Sequence, residues 1–402
     1  MVDGQRAVYF DGPAGSQVPD RVIRAVSSYL AATNANHGGR FATSRESDEM
    51  LDAARQAAAD LLGTTDTDTI IFGPNMTTLT LALSRALART WKTGDEVVVT
   101  RLDHDANVTP WVLAARDAGA TVRYVEVRAT DCSLDMESLR AELSPRTRLV
   151  AVGCASNAVG TVNPVGEICR LVHQTGGQVF LDAVHYVPHA LVDVAAWDCD
   201  YLVCSAYKFF GPHVGILWGR RDLLAKLPAY KVRPAPDDLP GKWMTGTANH
   251  EGIAGTLAAI ECLAELSDAA PSATARRSRL VAAYAKIGAY ERRLAQRLIA
   301  GLLELPSVRI WGNTDLARLD ERVPTVAVTH ARFTPVELAD YLGRRGIFAW
   351  HGHFYALPLT ESLGLEPSGL LRIGLLHYNT ADEIDRFLAA MGELEKPAAS
   401  VY

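Results

Sequence analysis

The sequence has few cysteines and no closely spaced pair of them. Six cysteines occur among 402 residues, and none forms a CxxC motif. They are Cys132, Cys154, Cys169, Cys199, Cys204 and Cys262. Most are flanked by apolar residues, which is typical of reduced, buried thiols in a cytoplasmic protein. The spacing excludes a disulfide framework and predicts no metal site, while a reactive thiol among the six stays an alternative.

Long hydrophobic runs and basic clusters are also missing. No apolar run is long enough to span a membrane, and residues 1–10 lack the basic and apolar regions of a signal peptide. The net charge is a modest −6. These absences argue against a membrane protein and against a nucleic-acid partner. The remaining class is a globular protein, 48% hydrophobic, with room for a large core and a second, smaller domain.

Between residues 70 and 219, short β-branched runs alternate with stretches of helical periodicity. Several runs are apolar throughout, as expected of strands that are covered on both faces. The strand candidates are residues 96–100, 121–127, 149–152, 179–182, 201–204 and 216–219. Helix candidates at residues 108–118 and 165–174 lie between them. This alternation predicts an α/β protein with a mainly parallel, doubly wound sheet.

The C-terminal part of the chain predicts a second, smaller unit. Residues 272–303 form a long, arginine-rich helical segment. A shorter α/β pattern follows, with strands near residues 325–328 and 371–374 and a helix over residues 380–391. We expect residues 397–402 to be a frayed tail.

A turn at residues 73–78 follows an apolar strand and opens a helix. Hydroxyl groups and free amide N–H groups at a helix N-terminus suit a phosphate group. Plain N-capping by Asn75 or Thr77 is the structural alternative. Taken alone, the turn favours the capping interpretation.

Three other strand exits carry polar residues, and ligands bind at strand exits in open sheets of this kind. The residues are His104, then Asp182 with His185, then Lys208. Each has a structural alternative: a surface or core histidine, a capping aspartate, a solvated lysine. As a set, they match the needs of pyridoxal 5′-phosphate (PLP), which are an amine for a Schiff base, a carboxylate for the pyridine nitrogen and a flat group over the ring.

Five segments then follow the pattern of one family in order and spacing. They are Asp103-His104-Asp105-Ala106-Asn107, Ser156-Asn157-Ala158-Val159-Gly160, Asp182-Ala183-Val184-His185, Ser205-Ala206-Tyr207-Lys208 and Leu371-Arg372-Ile373-Gly374. On these motifs the chain resembles the class V aminotransferase family of fold type I PLP-dependent enzymes, and within it the cysteine desulfurase-like branch. The resemblance runs from Tyr9 to about Phe387, nearly the whole chain.

This resemblance implies an overall architecture and a set of partners. It implies a large PLP-binding domain over residues 17–265, built on a mainly parallel seven-stranded sheet. A smaller α/β domain would combine residues 1–16 with residues 266–402. The expected cofactor is PLP, the expected substrate is a small amino acid, and the expected assembly is a homodimer with active sites at the subunit interface.

By position in the motifs, the resemblance implies roles for the residues around the cofactor ring. Lys208 would form the Schiff base and move the α-proton of the substrate. Asp182 would pair with the pyridine nitrogen, and His104 would stack on the ring. His185 stands where the family usually has a glutamine bonded to the phenolic oxygen, and a histidine could still donate there. Asn157 would contact the same side of the cofactor or the substrate carboxylate.

The resemblance also implies a phosphate site. The backbone near Met76, together with Thr77 and Ser205, would hold the phosphate of PLP. Thr247 would reach the phosphate of a neighbouring subunit, which implies a dimer.

Further residues match the family's substrate site. Arg372 matches an arginine that binds the substrate α-carboxylate, where a bidentate fork suits a planar anion. Asn36 and His37 match a segment that lines the active site of the partner.

The chain departs from the resemblance at one loop of the small domain. A cysteine desulfurase needs a nucleophilic cysteine there, but Tyr355 stands at the matching position and no cysteine follows Cys262. A phenol cannot accept sulfane sulfur, so we expect no persulfide formation. Trp350 stands where many members have an arginine. The two aromatic residues either fill a rebuilt loop or form a pocket for a bulkier or more apolar substrate, with Tyr355 as a proton donor.

Three functional hypotheses follow from this pattern. The first is a lyase that expels a thiol from Cβ of a cysteine S-conjugate by β-elimination. The second is amino transfer, epimerisation or decarboxylative deamination of a specialised amino acid. The third is a PLP-binding scaffold without catalysis, and retention of Lys208, Asp182, His104 and Arg372 together argues against it, because a scaffold needs none of that set.

Overall fold

A computed structural model describes residue 4 and residues 6–269 and 274–396 of the chain. The tail predicted at residues 397–402 lies outside the described residues. The strands are β1 Val8–Tyr9, β2 Ile70–Gly73, β3 Glu96–Thr100, β4 Thr121–Val125, β5 Thr147–Gly153, β6 Gln178–Asp182, β7 Tyr201–Ser205, β8 Gly215–Gly219, β9 Val308–Trp311, β10 Thr325–His330, β11 Ile347–Phe348, β12 Trp350–Gly352 and β13 Leu370–Gly374.

Helices connect most of these strands. They are α1 Asp20–Ser28, α2 Ala42–Leu62, α3 Met76–Ala88, α4 Thr109–Ala118, α5 Met136–Glu142, α6 Val165–His173, α7 Val194–Trp197, α8 Arg221–Lys226, α9 His250–Glu265, α10 Arg276–Leu303, α11 Pro335–Gly343, α12 Leu357–Ser362 and α13 Ala381–Glu395. Several begin and end at local sequence signals: Thr380 makes a capping box with Glu383 at the start of α13, and Gly119 in the left-handed region (φ 70°) ends α4.

A seven-stranded sheet in the order β2-β8-β7-β6-β5-β3-β4 forms the larger layer. The strands from β7 to β4 run parallel, and β8 runs antiparallel to both of its neighbours. Neighbouring residues of one strand enter opposite cores: Val98 joins the apolar cluster on one face, whereas Val97 and Val99 join the cluster on the other. Both faces are therefore covered, which confirms the mainly parallel, doubly wound α/β fold.

The predicted strand bounds agree with the structure to within one or two residues. The clearest difference is β4, which was expected to continue to residue 127 but ends at Val125. This strand lies at the edge of the sheet, and Val127 leaves it to form an isolated antiparallel bridge with Leu134.

A smaller layer is built on an antiparallel four-stranded sheet in the order β12-β13-β10-β9. The N-terminal strand β1 pairs with β11 beside it, so the first residues of the chain pack with the C-terminal part. Phe10 and Phe387 meet edge to face at 6.0 Å in the core of this layer. Among the described residues, no helix is long and apolar enough to cross a membrane.

Candidate active site

A cavity opens at the carboxyl edge of the parallel strands, where the sheet topology brings residues from distant motifs together. Asp182 ends β6, Lys208 lies in the 3₁₀ turn after β7, and His104 follows β3. Eight of the residues singled out in the sequence line this cavity: Met76, Thr77, His104, Asn157, Asp182, His185, Ser205 and Lys208. Asp103 and Tyr207, which belong to the quoted motifs but were given no role, line it as well.

Lys208 is buried at the centre of the cavity. Its Nζ donates to the backbone carbonyls of Pro13 and Ala14, and the Ala14 bond measures 3.2 Å. Nζ also lies 4.9 Å from the centroid of the Tyr207 ring. Burial, with a smaller contribution from the positive charge of Arg372, lowers the pKa of Lys208 to about 7. A substantial fraction of the amine is therefore neutral, and nucleophilic, near neutral pH.

Two buried carboxyl groups line the same cavity as the lysine. Asp182 Oδ1 accepts the Val184 N–H at 2.9 Å, so this aspartate caps the following turn as well as facing the cavity. Asp103 accepts from the Gly153 N–H at 2.8 Å and from Asn107 Nδ2 at 3.0 Å. Burial raises the pKa of Asp182 to about 6 and, together with the nearby Asp182 charge, the pKa of Asp103 to about 8.

His104 forms one wall of the cavity and stacks on Tyr355. The two rings lie 5.3 Å apart with an interplanar angle of 12°, and His104 Nδ1 accepts the Ala106 N–H at 3.0 Å. Burial lowers the pKa of His104 to about 4, so the imidazole is neutral at pH 7. A flat, neutral ring is suited to stacking on another aromatic system.

The segment that carries Tyr355 is held against the cavity rim in an unusual backbone conformation. Phe354 and Tyr355 have φ values of 54° and 59°, in the left-handed region that costs a bulky residue about 1–2 kcal/mol. The Tyr355 carbonyl accepts the Asp105 N–H at 2.6 Å, and the Phe354 carbonyl accepts Asn157 Nδ2 at 2.8 Å. Tyr355 as a whole residue is nevertheless 67% exposed.

His185 is a buried residue of the cavity lining. Its Nε2 is hydrogen-bonded to Thr325 Oγ1 at 2.9 Å, and its Nδ1 has no partner among the described residues. Burial lowers the pKa of His185, with His189 as the next contributor. Asn157 Oδ1 is likewise buried without a partner. Two lining residues thus carry an unsatisfied polar atom.

The start of α3 provides the hydroxyl-rich turn that the sequence indicated. The Asn75 side chain accepts the Thr78 N–H at 2.9 Å, so Asn75 is the N-cap and the capping interpretation holds for this residue. The Met76 N–H donates to Ser205 Oγ at 3.0 Å, across from β7. Thr77 lines the cavity beside them.

Arg372 is buried next to the cavity but does not line it. One guanidinium nitrogen donates to Asp11 Oδ1 at 3.1 Å and another to the Asn157 carbonyl at 2.9 Å, while its Cζ lies 4.2 Å from the centroid of the Phe354 ring. Asp11 was not singled out, because its partner is 361 positions away and no local pattern connects them.

The remaining predicted residues are exposed and outside this cavity. They are Asn36, His37, Thr247 and Trp350. Trp350 lies on β12 directly opposite Arg372 in the antiparallel register. The His37 ring is 6.1 Å from that of His250.

Comparison with known proteins gives one consistent family. The sequence model of the family described as "Aminotransferase class-V" matches residues 8–387. The chain is 31% identical to a cysteine desulfurase of Dickeya dadantii, covering 98% of this chain and 93% of that protein. It is 32% identical to the aminotransferase-like protein FGM3 of Gibberella zeae, covering 96% of this chain and 94% of that protein.

Solved structures show the same fold. The apo structure of a cysteine desulfurase from Thermococcus onnurineus matches with a TM-score of 0.87 and 25% identity, covering 96% of this chain and 94% of that one. The cysteine desulfurase CsdA from Escherichia coli matches with a TM-score of 0.82 and 25% identity over the same shares of both chains.

Proposed function

Since this chain belongs to the aminotransferase class-V family and is a PLP-dependent enzyme, we propose that it cleaves the Cβ–S bond of a cysteine S-conjugate by β-elimination. The observation that carries the proposal is the aromatic segment at the cavity rim. At this rim, the exposed residue that stacks on His104 is Tyr355, which carries a phenol and not a thiol. One water would be consumed, and the products would be a thiol, pyruvate and ammonia.

None of the six cysteines of the chain replaces the nucleophilic thiol that a desulfurase needs. Five of the six are buried, and Cys262, the one that is partly exposed, borders a different cavity. Burial, with the nearby Asp182 carboxylate as a further cause, raises the pKa of the Cys154 and Cys204 thiols. A protonated, buried thiol is a poor sulfur acceptor. Persulfide-forming desulfuration is therefore not the reaction that we propose.

The cavity fits PLP. The unpartnered Nδ1 of His185 and Oδ1 of Asn157 are buried polar atoms of lining residues, as expected where a ligand completes the hydrogen bonding. In this proposal Lys208 holds the cofactor, Asp182 pairs with its pyridine nitrogen and His104 covers its ring. Bound PLP supplies an electron sink that stabilises negative charge at Cα of an amino acid.

The phosphate site in this proposal is the start of α3. The Met76 backbone, Thr77 and Ser205 offer amide and hydroxyl donors near a helix N-terminus, where the dipole favours an anion. Thr247 is exposed and would complete the phosphate site of a second subunit. A homodimer in the cytoplasm is therefore part of the proposal.

Proton movement is assigned to the residues on either side of the cavity. Lys208 Nζ, once the amine of the substrate has replaced it on the cofactor, would take the proton from the substrate Cα. Tyr355, stacked on His104, gives its phenolic proton to the leaving thiolate. Elimination needs both transfers, since the carbon loses a proton and the sulfur gains one.

Substrate recognition is assigned to the small-domain side of the cavity. Arg372, which is buried beside the cavity with its Nε unpartnered among the described residues, would bind the α-carboxylate of the amino acid, and Asn157, whose carbonyl bonds to Arg372, lines the cavity next to it. Trp350 and Tyr355 expose aromatic surface that suits an apolar substituent on sulfur. Asn36 and His37 are exposed and would contact the substrate of the partner subunit.

The visible absorbance of the purified holoenzyme tests the proposal. We expect S-alkyl-, S-aryl- and S-sugar-cysteines to change the cofactor band and to release thiol and pyruvate in equal amounts. Free cysteine should give no enzyme-bound sulfane sulfur. Absence of pyruvate and thiol across the whole panel would contradict the lyase assignment.

Amino transfer is the second candidate, because a relative 32% identical to this chain is named an aminotransferase-like protein. In that case amino donors alone would bleach the cofactor band, and a keto acid would restore it. Epimerisation would give deuterium at Cα without any product of cleavage. A non-catalytic scaffold would keep its band unchanged with every amino acid.

A further inference from the structure

The rim segment, residues 353–356, forms a turn that is closed by its own hydrogen bonds. The Tyr355 N–H donates to His353 Nδ1 at 3.1 Å, and the Ala356 N–H donates to the His353 carbonyl at 2.7 Å. These local bonds close the turn but do not fix its position against the larger layer. Left-handed backbone at bulky residues such as Phe354 and Tyr355 persists only where the surrounding structure enforces it.

Two hydrogen bonds from the larger layer meet the main chain of the rim segment. The Asp105 N–H donates to the Tyr355 carbonyl at 2.6 Å, and Asn157 Nδ2 donates to the Phe354 carbonyl at 2.8 Å. The two acceptors belong to consecutive residues, the same two that have left-handed φ values. Because the bond from Asn157 comes from a side chain, a substitution can remove it without altering the backbone of either partner.

Asn157 also contacts the arginine assigned to the substrate carboxylate. Its main-chain carbonyl accepts from Arg372 at 2.9 Å, and the Arg372 Cζ lies 4.2 Å from the centroid of the Phe354 ring. A guanidinium group within about 6 Å of a ring centroid is attracted to the ring. Asn157, Arg372 and Phe354 therefore form a closed triangle of contacts between the larger layer, the small sheet and the rim.

The contact of Asn157 with the rim is separate from its contact with the cavity. Its Oδ1 is buried without a partner among the described residues, and the residue lines the active-site cavity. Its Nδ2 donates to the rim. One side chain thus reaches both the cofactor cavity and the segment that carries Tyr355.

We infer that Asn157 is a positioning residue for Tyr355. Its side-chain nitrogen holds the Phe354 carbonyl, and this bond keeps the rim in the conformation in which Tyr355 stacks on His104. Its main-chain carbonyl holds Arg372, so the rim and the carboxylate site are fixed to one residue. The inference rests on the proposed function for the role of Tyr355, but its first test needs no reaction.

The chain offers a closely matched pair of substitutions. Asn157→Leu removes the donor and keeps a branched side chain of similar size. Asn163 Nδ2 also donates to a main-chain carbonyl at 2.8 Å, that of Gly153, and Asn163 Oδ1 is also buried without a partner among the described residues. Asn163→Leu therefore makes the same chemical change within the larger layer, away from the rim.

A third variant, Asn157→Ala, removes the same donor with a side chain too small to clash. It repeats the test if the leucine variant does not fold. Unfolding midpoints of the holoenzymes show which variants are folded.

Amide hydrogen exchange of the holoenzyme without substrate is the first measurement. Exchange reports local opening, and mass spectrometry resolves it on peptides that contain the rim segment and Asp105. In Asn157→Leu we expect the rim amides, and the Asp105 amide that bonds to the rim, to exchange about two- to tenfold faster, as loss of one hydrogen bond predicts. Asn163→Leu should keep the unmodified rates in the rim segment.

Unmodified exchange of the rim segment in both Asn157→Leu and Asn157→Ala would overturn the inference. Because this measurement uses no substrate, it stands whether or not the enzyme is a lyase. Absence of turnover with every cysteine S-conjugate would contradict the lyase proposal alone.

A double-mutant cycle then tests whether the bond acts on Tyr355. Tyr355→Ala is made in the unmodified, Asn157→Leu and Asn163→Leu backgrounds, and kcat/KM is measured with an amino acid that the holoenzyme turns over. We expect Tyr355→Ala to lower kcat/KM by the same factor in the unmodified and Asn163→Leu backgrounds. In Asn157→Leu the factor should be smaller, because the ring has already lost its position. Equal factors in all three backgrounds would restrict Asn157 to a structural role and overturn the inference.

Discussion

The floor and the rim of the active-site cavity are built differently. The floor residues Asp182 and Lys208 lie at the ends of buried strands, are themselves more than 90% buried, and have shifted pKa values because water is excluded. At the rim, Phe354 and Tyr355 belong to a segment with left-handed backbone, and the Tyr355 side chain is exposed. Rigid, dry residues suit the steps common to PLP enzymes, whereas an exposed segment can change from one enzyme to the next.

The contrast between floor and rim indicates which residues determine the type of reaction. PLP labilises several bonds at Cα, and the groups around the substrate select among them. If the floor performs the shared step and the rim selects the outcome, substitutions at the floor should abolish every activity. Substitutions at the rim should alter rate and products while leaving the cofactor bound.

The largest effect is expected at the floor, with Lys208→Ala. Loss of the amine removes both the covalent attachment of the cofactor and the acceptor of the α-proton, so activity should fall by about 10³-fold or more. The visible band of the attached cofactor should disappear as well. Absorbance spectra and product assays after dialysis against PLP measure both effects. Retention of the attached-cofactor band would show that another amine holds PLP.

A smaller effect is expected at the rim, where two substitutions of Tyr355 separate stacking from proton donation. Tyr355→Phe keeps the ring against His104 but removes the hydroxyl, whereas Tyr355→Ala removes both. Aromatic pairs contribute about 0.5–1.5 kcal/mol, so loss of the stack alone should lower kcat/KM by about two- to tenfold.

The comparison of the two variants identifies the role of the hydroxyl group. If Tyr355 donates the proton, Tyr355→Phe should slow thiol release most for thiols of high pKa, which leave poorly as anions. Equal activity of Tyr355→Phe and the unmodified enzyme with every leaving group would restrict Tyr355 to packing. In both variants the cofactor band should persist, which distinguishes the rim from the floor.

The same division between floor and rim separates the features that could be predicted from the sequence from those that could not. The strands of the large sheet and the floor residues were predictable because apolar runs, strand exits and family motifs are local patterns. The contact between His104 and Tyr355 was not, because it joins residues 251 positions apart through the packing of two layers. The pairing of Arg372 with Asp11 was missed for the same reason, and the short strands β9 and β12 carry too few residues for a clear period.

The last effect concerns stability and not activity, and it is expected in the pH dependence at Asp103, a buried residue of the cavity lining. Burial raises the pKa of Asp103 to about 8, above the value of about 3.9 in an unfolded chain. The folded state therefore binds more protons, and stability that is full below about pH 4 is lost as the pH rises through 8. Asp182 acts in the same direction but only up to about pH 6.

In the cofactor-free protein, we expect the unfolding free energy to decline by at most about 2 kcal/mol between pH 6 and 7.5 because of Asp103. Asp103→Asn should remove this decline. The variant loses some stability at every pH, because an amide cannot accept from both Gly153 and Asn107. The slope against pH is therefore the informative quantity, and urea unfolding at four pH values measures it. Tyr355→Phe, at the rim, should keep the slope of the unmodified chain. Equal slopes for Asp103→Asn and the unmodified chain would mean that Asp103 is already ionised at pH 6, because the hydrogen bonds from Gly153 and Asn107 outweigh its burial.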